Sequence, residues 1–338
     1  MRYTLLLAVI LPTAIVHGQE KAADDVTKVK DSVTNRDVAE LVKALSTDET
    51  ERAIAEGELV RRGKSATTLL VGCLQATDNP NEARMSAARI LKKVKDPAAI
   101  PGLLDVYKNQ GVPLPVRGEA ALALGELEAV NAVPDLIEGL ANNMFKVSET
   151  ARTALIMLGP AAVDPIIEAY KREMAVPENP KAKEKEREAY AARDGLVFRS
   201  LLILGDLGGA KAREALKDAL KVQKGSRAVG VRHHAGLAMG LLRYSDKEYK
   251  LAIDPLLEAY ETERDLSVAG ILVRSLEWLT DAHDVPPQPY RWKAWWNVNR
   301  DRILGTEDHA HEHIELPKDG LKKGDPLEEP KDTPPPPK

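Results

Sequence analysis

Ala129-Val130-Asn131-Ala132-Val133-Pro134-Asp135-Leu136-Ile137 is a second copy of Asp96-Pro97-Ala98-Ala99-Ile100-Pro101-Gly102-Leu103-Leu104, set 33 residues further along the chain. Ala161-Ala162-Val163-Asp164-Pro165-Ile166-Ile167 repeats it again, its proline 31 residues after Pro134, and Ala252-Ile253-Asp254-Pro255-Leu256-Leu257 supplies a fourth copy. A period in this range marks stacked supersecondary units, and it settles the architecture before any local propensity does. Each proline stands in the opening turn of a helix, where the N–H it lacks would have had no intrahelical acceptor. The Leu or Ile pair after it starts the buried stripe.

A second segment recurs between these copies: Ala83-Arg84-Met85-Ser86-Ala87-Ala88-Arg89-Ile90-Leu91 and Val116-Arg117-Gly118-Glu119-Ala120-Ala121-Leu122-Ala123-Leu124-Gly125. Thr150 to Gly159, Arg199 to Gly205 and Val231 to Gly240 continue the series. Apolar residues return there at three and four positions, as one face of a helix requires. Gly125, Gly159, Gly205 and Gly240 fall near helix ends, where glycine either relaxes the last turn or admits a neighbouring backbone. About seven units are expected, beginning near residues 37, 64, 96, 129, 161, 209 and 245; the unit near 209 has Arg213-Glu214-Ala215-Leu216 in place of the proline. Such an array escapes the usual domain count for 338 residues, because each unit buries its apolar face on its neighbours.

These segments resemble the HEAT repeat, including the short HEAT-like units of phycobilisome lyases and of many exported bacterial proteins. The resemblance covers 37–280. It implies an all-α, right-handed α-α superhelix of the HEAT or armadillo-like kind, with an extended inner surface for protein contacts. Arg84, Arg117 and Arg232 occupy one repeat position and would form a ladder. In HEAT-like units such an arginine usually bonds helix ends or acidic neighbours inside the stack, and that reading is preferred to contact with a bound protein, for which the three are the candidate residues.

Composition narrows the classes further. Aromatic residues make up 4% of the chain with only two Phe, which argues against a β-sandwich. The 48 basic and 52 acidic residues leave a net charge of -4, so nothing draws the chain to nucleic acid. Cys73, the one cysteine, excludes an intramolecular disulfide; within Leu69-Leu70-Val71-Gly72-Cys73-Leu74 it reads as a small buried hydrophobe. His233 and His234, adjacent on a helix, should split between core and surface.

The ends are different in kind. Residues 1–18 open with Arg2, run apolar from Leu5 to Val16 and close on Val16-His17-Gly18, the layout of a cleaved secretory signal peptide. The run is short of the roughly 20 residues a membrane span needs, and Pro12 interrupts it. A linker, 19–36, leads into the repeats. Residues 171–195 form a charged insertion, with Pro177-Glu178-Asn179-Pro180 ahead of a stretch rich in Lys, Glu and Ala. It reads as a mobile excursion with a helical part, or as a flap beside the inner surface. All four tryptophans fall between Trp278 and Trp296, and Trp292, Trp295 and Trp296 share a helical face. The segment 281–316 is therefore expected to cap the exposed side of the last repeat. His309, His311 and His313 are the candidate metal ligands, suited to Zn, Cu or Ni if extended, although no scaffold or supporting partner is evident around them. Residues 317–338, ending in Pro334-Pro335-Pro336-Pro337-Lys338, are expected to be disordered.

No phosphate loop, HExxH pair or nucleophile elbow occurs, so no catalytic residue and no cofactor is expected. The function expected is a non-enzymatic scaffold that binds a protein or peptide in the periplasm or outside the cell, without nucleic acid and without membrane contact beyond the export signal. Two alternatives stand beside it: a lyase-like or chaperone-like enzyme, from the resemblance, and a metal-binding protein acting through the histidine cluster.

Overall fold

The structure, a computed structural model, describes residues 30, 32–142, 144–177 and 183–305. The signal segment, most of the linker, the centre of the insertion, the histidine cluster and the tail lie outside the described residues. Among those described there is no strand, and fifteen α-helices run from Val38 to Leu304.

Fourteen of them form seven successive contacting pairs. These are α1 (Val38–Ala44) with α2 (Glu49–Arg62), α3 (Thr67–Gln75) with α4 (Asn81–Val94), and α5 (Ile100–Lys108) with α6 (Leu114–Glu126). There follow α7 (Val133–Leu140) with α8 (Phe145–Leu158), α9 (Val163–Met174) with α10 (Glu184–Leu207), α11 (Ala210–Leu220) with α12 (Ala228–Ser245), and α13 (Ile253–Thr262) with α14 (Leu266–Thr280). Even helices pack on even helices and odd on odd, which makes two layers and one continuous core, a helical solenoid.

The repeated prolines act where the chain re-enters the odd layer. A 3-10 turn precedes α3, α5, α7, α9 and α13, and its last residue is a fully buried alanine in every case: Ala66, Ala99, Ala132, Ala162 and Ala252. A tight 3-10 turn needs a small residue where it meets the core, and the proline holds the φ of the helical turn after it. Ahead of α11, which has neither the proline nor the 3-10 turn, the chain uses glycine instead, with Gly208 at φ 67° and Gly209 at φ 88°. Those φ values are open to glycine and strained for other residues.

At the carboxyl end α15 (Pro289–Leu304) packs against α13. Trp292 and Trp296 are buried there, and Trp296 Nε1 donates to Asp254 at 2.7 Å. Trp278 is elsewhere: it lies on α14, 37% exposed, against Gly240 of α12. Cys73 is buried, and desolvation pushes its thiol pKa up.

Candidate functional site

The even layer is the more closely packed one. A Cβ on Gly125 of α6 would stand 2.9 Å from Ala154 Cα of α8, one on Gly205 of α10 would stand 2.6 Å from Ala238 O of α12, and one on Gly240 would stand 2.8 Å from Ser275 Oγ of α14. At Gly125 and Gly205 close approach of a neighbouring backbone is the role realised, and at Gly240 close approach of the Ser275 and Trp278 side chains; Gly159, at φ 62° past the end of α8, is the exception that terminates a helix. When one layer of a solenoid approaches more closely than the other, the stack curves toward it, so the even helices form the inner face.

Their buried positions fix a common register. Ala83, Val116, Val147, Leu196, Val231 and Val268 are equivalent, as are Leu91, Leu124, Leu155, Leu204, Met239 and Leu276, and all are buried. In this register the ladder position holds Arg84, Arg117, Ser148, Val197 and Arg232 in turn. Where arginine is present it braces its own unit: Arg84 Nε donates to Leu74 O at 2.9 Å, Arg117 Nε to Tyr107 O at 2.8 Å and Arg232 Nη1 to Val222 O at 2.7 Å. Each acceptor lies at the end of the preceding odd helix, where carbonyls have no intrahelical donor. Where it is absent the following unit supplies the donor: Arg199 Nη1 reaches Leu140 O at 2.6 Å, and Arg227 Nη1 reaches Glu173 O at 3.0 Å. As contact residues for a partner Arg84, Arg117 and Arg232 have little to offer, being 3%, 5% and 6% exposed and in separate units.

The side chains that do look outward from the inner layer change character along the stack. On α4, α6 and α8 the outward arc is laced with ion pairs: Arg89 with Glu56 and Glu119, Lys95 with Glu126, and Arg152 with Glu149. On α10 and α12 the equivalent arc carries Phe198, Leu202, His233, His234, Leu237 and Leu241, all half-buried, and the two charged residues of that arc, Arg199 and Asp206 of α10, are tied to the preceding unit. From His233 to Leu242 there is no ionic side chain. Tyr244, 80% exposed, and Trp278 extend the apolar surface toward α14.

Phe198 and His234 stack across the two helices, ring centroids 4.5 Å apart and planes 5° from parallel, and His233 meets His234 edge-on at 5.6 Å. Gly230 makes room, since a Cβ there would stand 2.6 Å from the Phe198 ring. His234 Nδ1 lies 2.8 Å from Gly230 O; a carbonyl only accepts, so Nδ1 carries the hydrogen and Nε2 of the neutral ring keeps a lone pair. Burial holds the His234 pKa below its ordinary value; the Gly230 bond opposes this and His233 adds to it. The expected split of the two histidines between core and surface is corrected: a helix in a two-layer stack leaves an arc wide enough for neighbours 100° apart, and both rings occupy it.

The insertion borders this surface. Its described second half is not a loop: α10 is unbroken for 24 residues from Glu184. Arg227, 5% exposed, ties its base by donating to Asp194 at 2.5 Å and lying 5.9 Å over the Tyr190 ring, and Tyr190 OH donates to Pro177 O at 3.3 Å. Among the described residues no group of three or more His, Cys, Asp or Glu could hold a metal ion.

Residues 116–142, which are α6, α7 and the turn between them, match the PBS lyase HEAT-like repeat. No curated protein matches the chain. Among solved structures, human deoxyhypusine hydroxylase in complex with glycerol is 19% identical over 86% of this chain and 99% of its own, with a TM-score of 0.31. The complex of CpcE and CpcF of phycocyanin lyase from Nostoc is 18% identical over 72% of this chain and 95% of that one, TM-score 0.35. An engineered protein is 20% identical over 80% and 82%, TM-score 0.31. These are likenesses of fold, and they correct one expectation. A hydroxylase and a lyase stand among the similar structures, so a solenoid without a contiguous catalytic motif is no ground for calling the chain non-enzymatic. A repeat array gathers a site from side chains on separate units, which a linear motif search does not see. With seven helix pairs in place the chain is a helical solenoid, and residues 116–142 within it match a HEAT-like repeat.

Proposed function

We propose that this solenoid is a binding scaffold, acting in the periplasm or outside the cell, that takes an apolar segment of a protein or peptide along the inner face of α10 and α12. The observation that carries the reading is the ion-free arc of α12, His233 to Leu242, aligned with Phe198 and Leu202 of α10 on a layer whose other helices place ion pairs at the same positions. Apolar surface gathered in one place on an otherwise charged face is the usual mark of a contact site. The Phe198–His234 stack gives that surface a rigid centre, and the lone pair on Nε2 gives it one acceptor for a donor on the bound segment.

A photo-crosslinking side chain placed at Leu237 on the inner face, and for comparison at Glu258 on the outer layer, tests this in an exported fraction. An adduct of defined mass at 237 and none at 258 is expected. Leu202→Asp with Leu241→Asp should abolish the adduct at 237 while leaving the helical circular-dichroism signal and melting midpoint near wild type. Equal labelling at both positions, or none at 237, would overturn the reading.

A further inference from the structure

The geometry points to an articulation at one place in the solenoid, the seam between α8 and α10, with the units before and after it moving as two stiff arms. The common register shows why that seam differs. At the crossing of α6 with α8 glycine meets alanine, Gly125 with Ala154; at α10 with α12 the pair is Gly205 with Ala238; at α12 with α14 it is Gly240 with Ser275. At α4 with α6 one of the two positions is large, Lys92 with Ala123, and at α8 with α10 both are large, Ile156 and Ile203. One turn earlier Ala121 and Gly236 have as their counterpart Arg152.

Backbone lying on backbone leaves no slack, because any tilt drives atoms already near contact into one another. Two isoleucines and an arginine hold the helices further apart and replace that contact with side chains that have rotamers to exchange. The specific ties across this seam are polar. Arg152 Nη2 pairs with Asp206, their side chains 27% and 23% exposed, and Arg199 donates to Leu140 O. Arg152 Nε is buried without a partner, so the guanidinium is not fully satisfied in this geometry. A partly exposed ion pair is weakened by salt, whereas a glycine–alanine crossing is not. The stiffness of a solenoid is set unit by unit at such interfaces, so one loose seam localises the bending.

Three spin-label pairs, each spanning three units of the full chain in a Cys73→Ala background, test this. Lys93 with Thr153 lies within the first arm, Ala191 with Arg274 within the second, and Thr153 with Tyr244 spans the seam. The cross-seam distance distribution should be about twofold broader than either internal one, and should broaden further in about 1 M salt while the others stay fixed. Ile156→Gly with Ile203→Ala, which supplies the small-residue pair of the other crossings, should narrow it. A cross-seam distribution no broader than the internal two would overturn the proposal, and that comparison on the otherwise wild-type chain decides the matter even if the double variant does not fold.

Discussion

The inner faces of α4 to α8 and of α10 to α12 are made on one register and finished differently. The first carries charges that pair within a helix and with the neighbouring one. The second leaves Phe198, Leu202, His234, Leu237 and Leu241 half-buried with no partner of opposite charge to satisfy. A repeat array has one way of burying its core and two ways of treating what remains. The difference between the halves separates the requirements of folding from whatever the surface is for.

The largest effect expected concerns how the two halves close. Gly205→Ala, in the second, forces a Cβ to 2.6 Å from Ala238 O and should cost about 3 kcal/mol of stability in urea unfolding. Ile156→Ala, at the seam that ends the first, should cost about 1 kcal/mol, since a half-buried side chain is lost and no backbone must move. Equal costs would erase the distinction between tight and loose crossings. A middle-sized effect separates the charged face from the arginines beneath it. Arg117→Ala strands Tyr107 O and should cost about 2 kcal/mol, while Arg89→Ala should cost about 0.5 kcal/mol and less in high salt. A large cost at Arg89 would mean that the charged face holds the fold together.

The smallest effect is one of pH. His234 is held below its ordinary value of 6.5, so the unfolded chain takes up its proton first on acidification. The contribution of the neutral ring is complete above about 6.5 and is lost as pH falls from there through the folded value. The melting midpoint should therefore fall more between pH 7 and 5 in the wild type than in His234→Phe. Parallel curves would show that the stack does not depend on a neutral ring.

The helix pairs were legible in the sequence because the proline and the Leu or Ile pair that follows mark the re-entry into the odd layer at α5, α7, α9 and α13, and the period was visible without knowing any contact. The arginine position was legible for the same reason, and its partner was not: the acceptor is a backbone carbonyl, which has no signature in the chain. The apolar strip escaped notice because its members lie on two helices 35 residues apart and become one surface only when the register is known. The absence of ionic residues from His233 to Leu242 was the one signal that could have found it, and in a core-forming helix it passes for ordinary burial. The two roles of the glycines could not be separated, since Gly159 and Gly205 look alike until a φ angle or a neighbouring backbone is seen.

The reach of Arg199 and Arg227 into the preceding units bears on how such a chain can be lengthened or cut. Units whose own arginine closes the odd helix and which supply no donor to the unit before, those of Arg84 and Arg117, are self-contained cassettes, and a duplication or excision at their borders leaves these helix-end carbonyls served. The fourth and fifth units are each completed by a donor encoded downstream. Removing either of the following units would unseat the one before it, so this stretch is inherited, or lost, as a block.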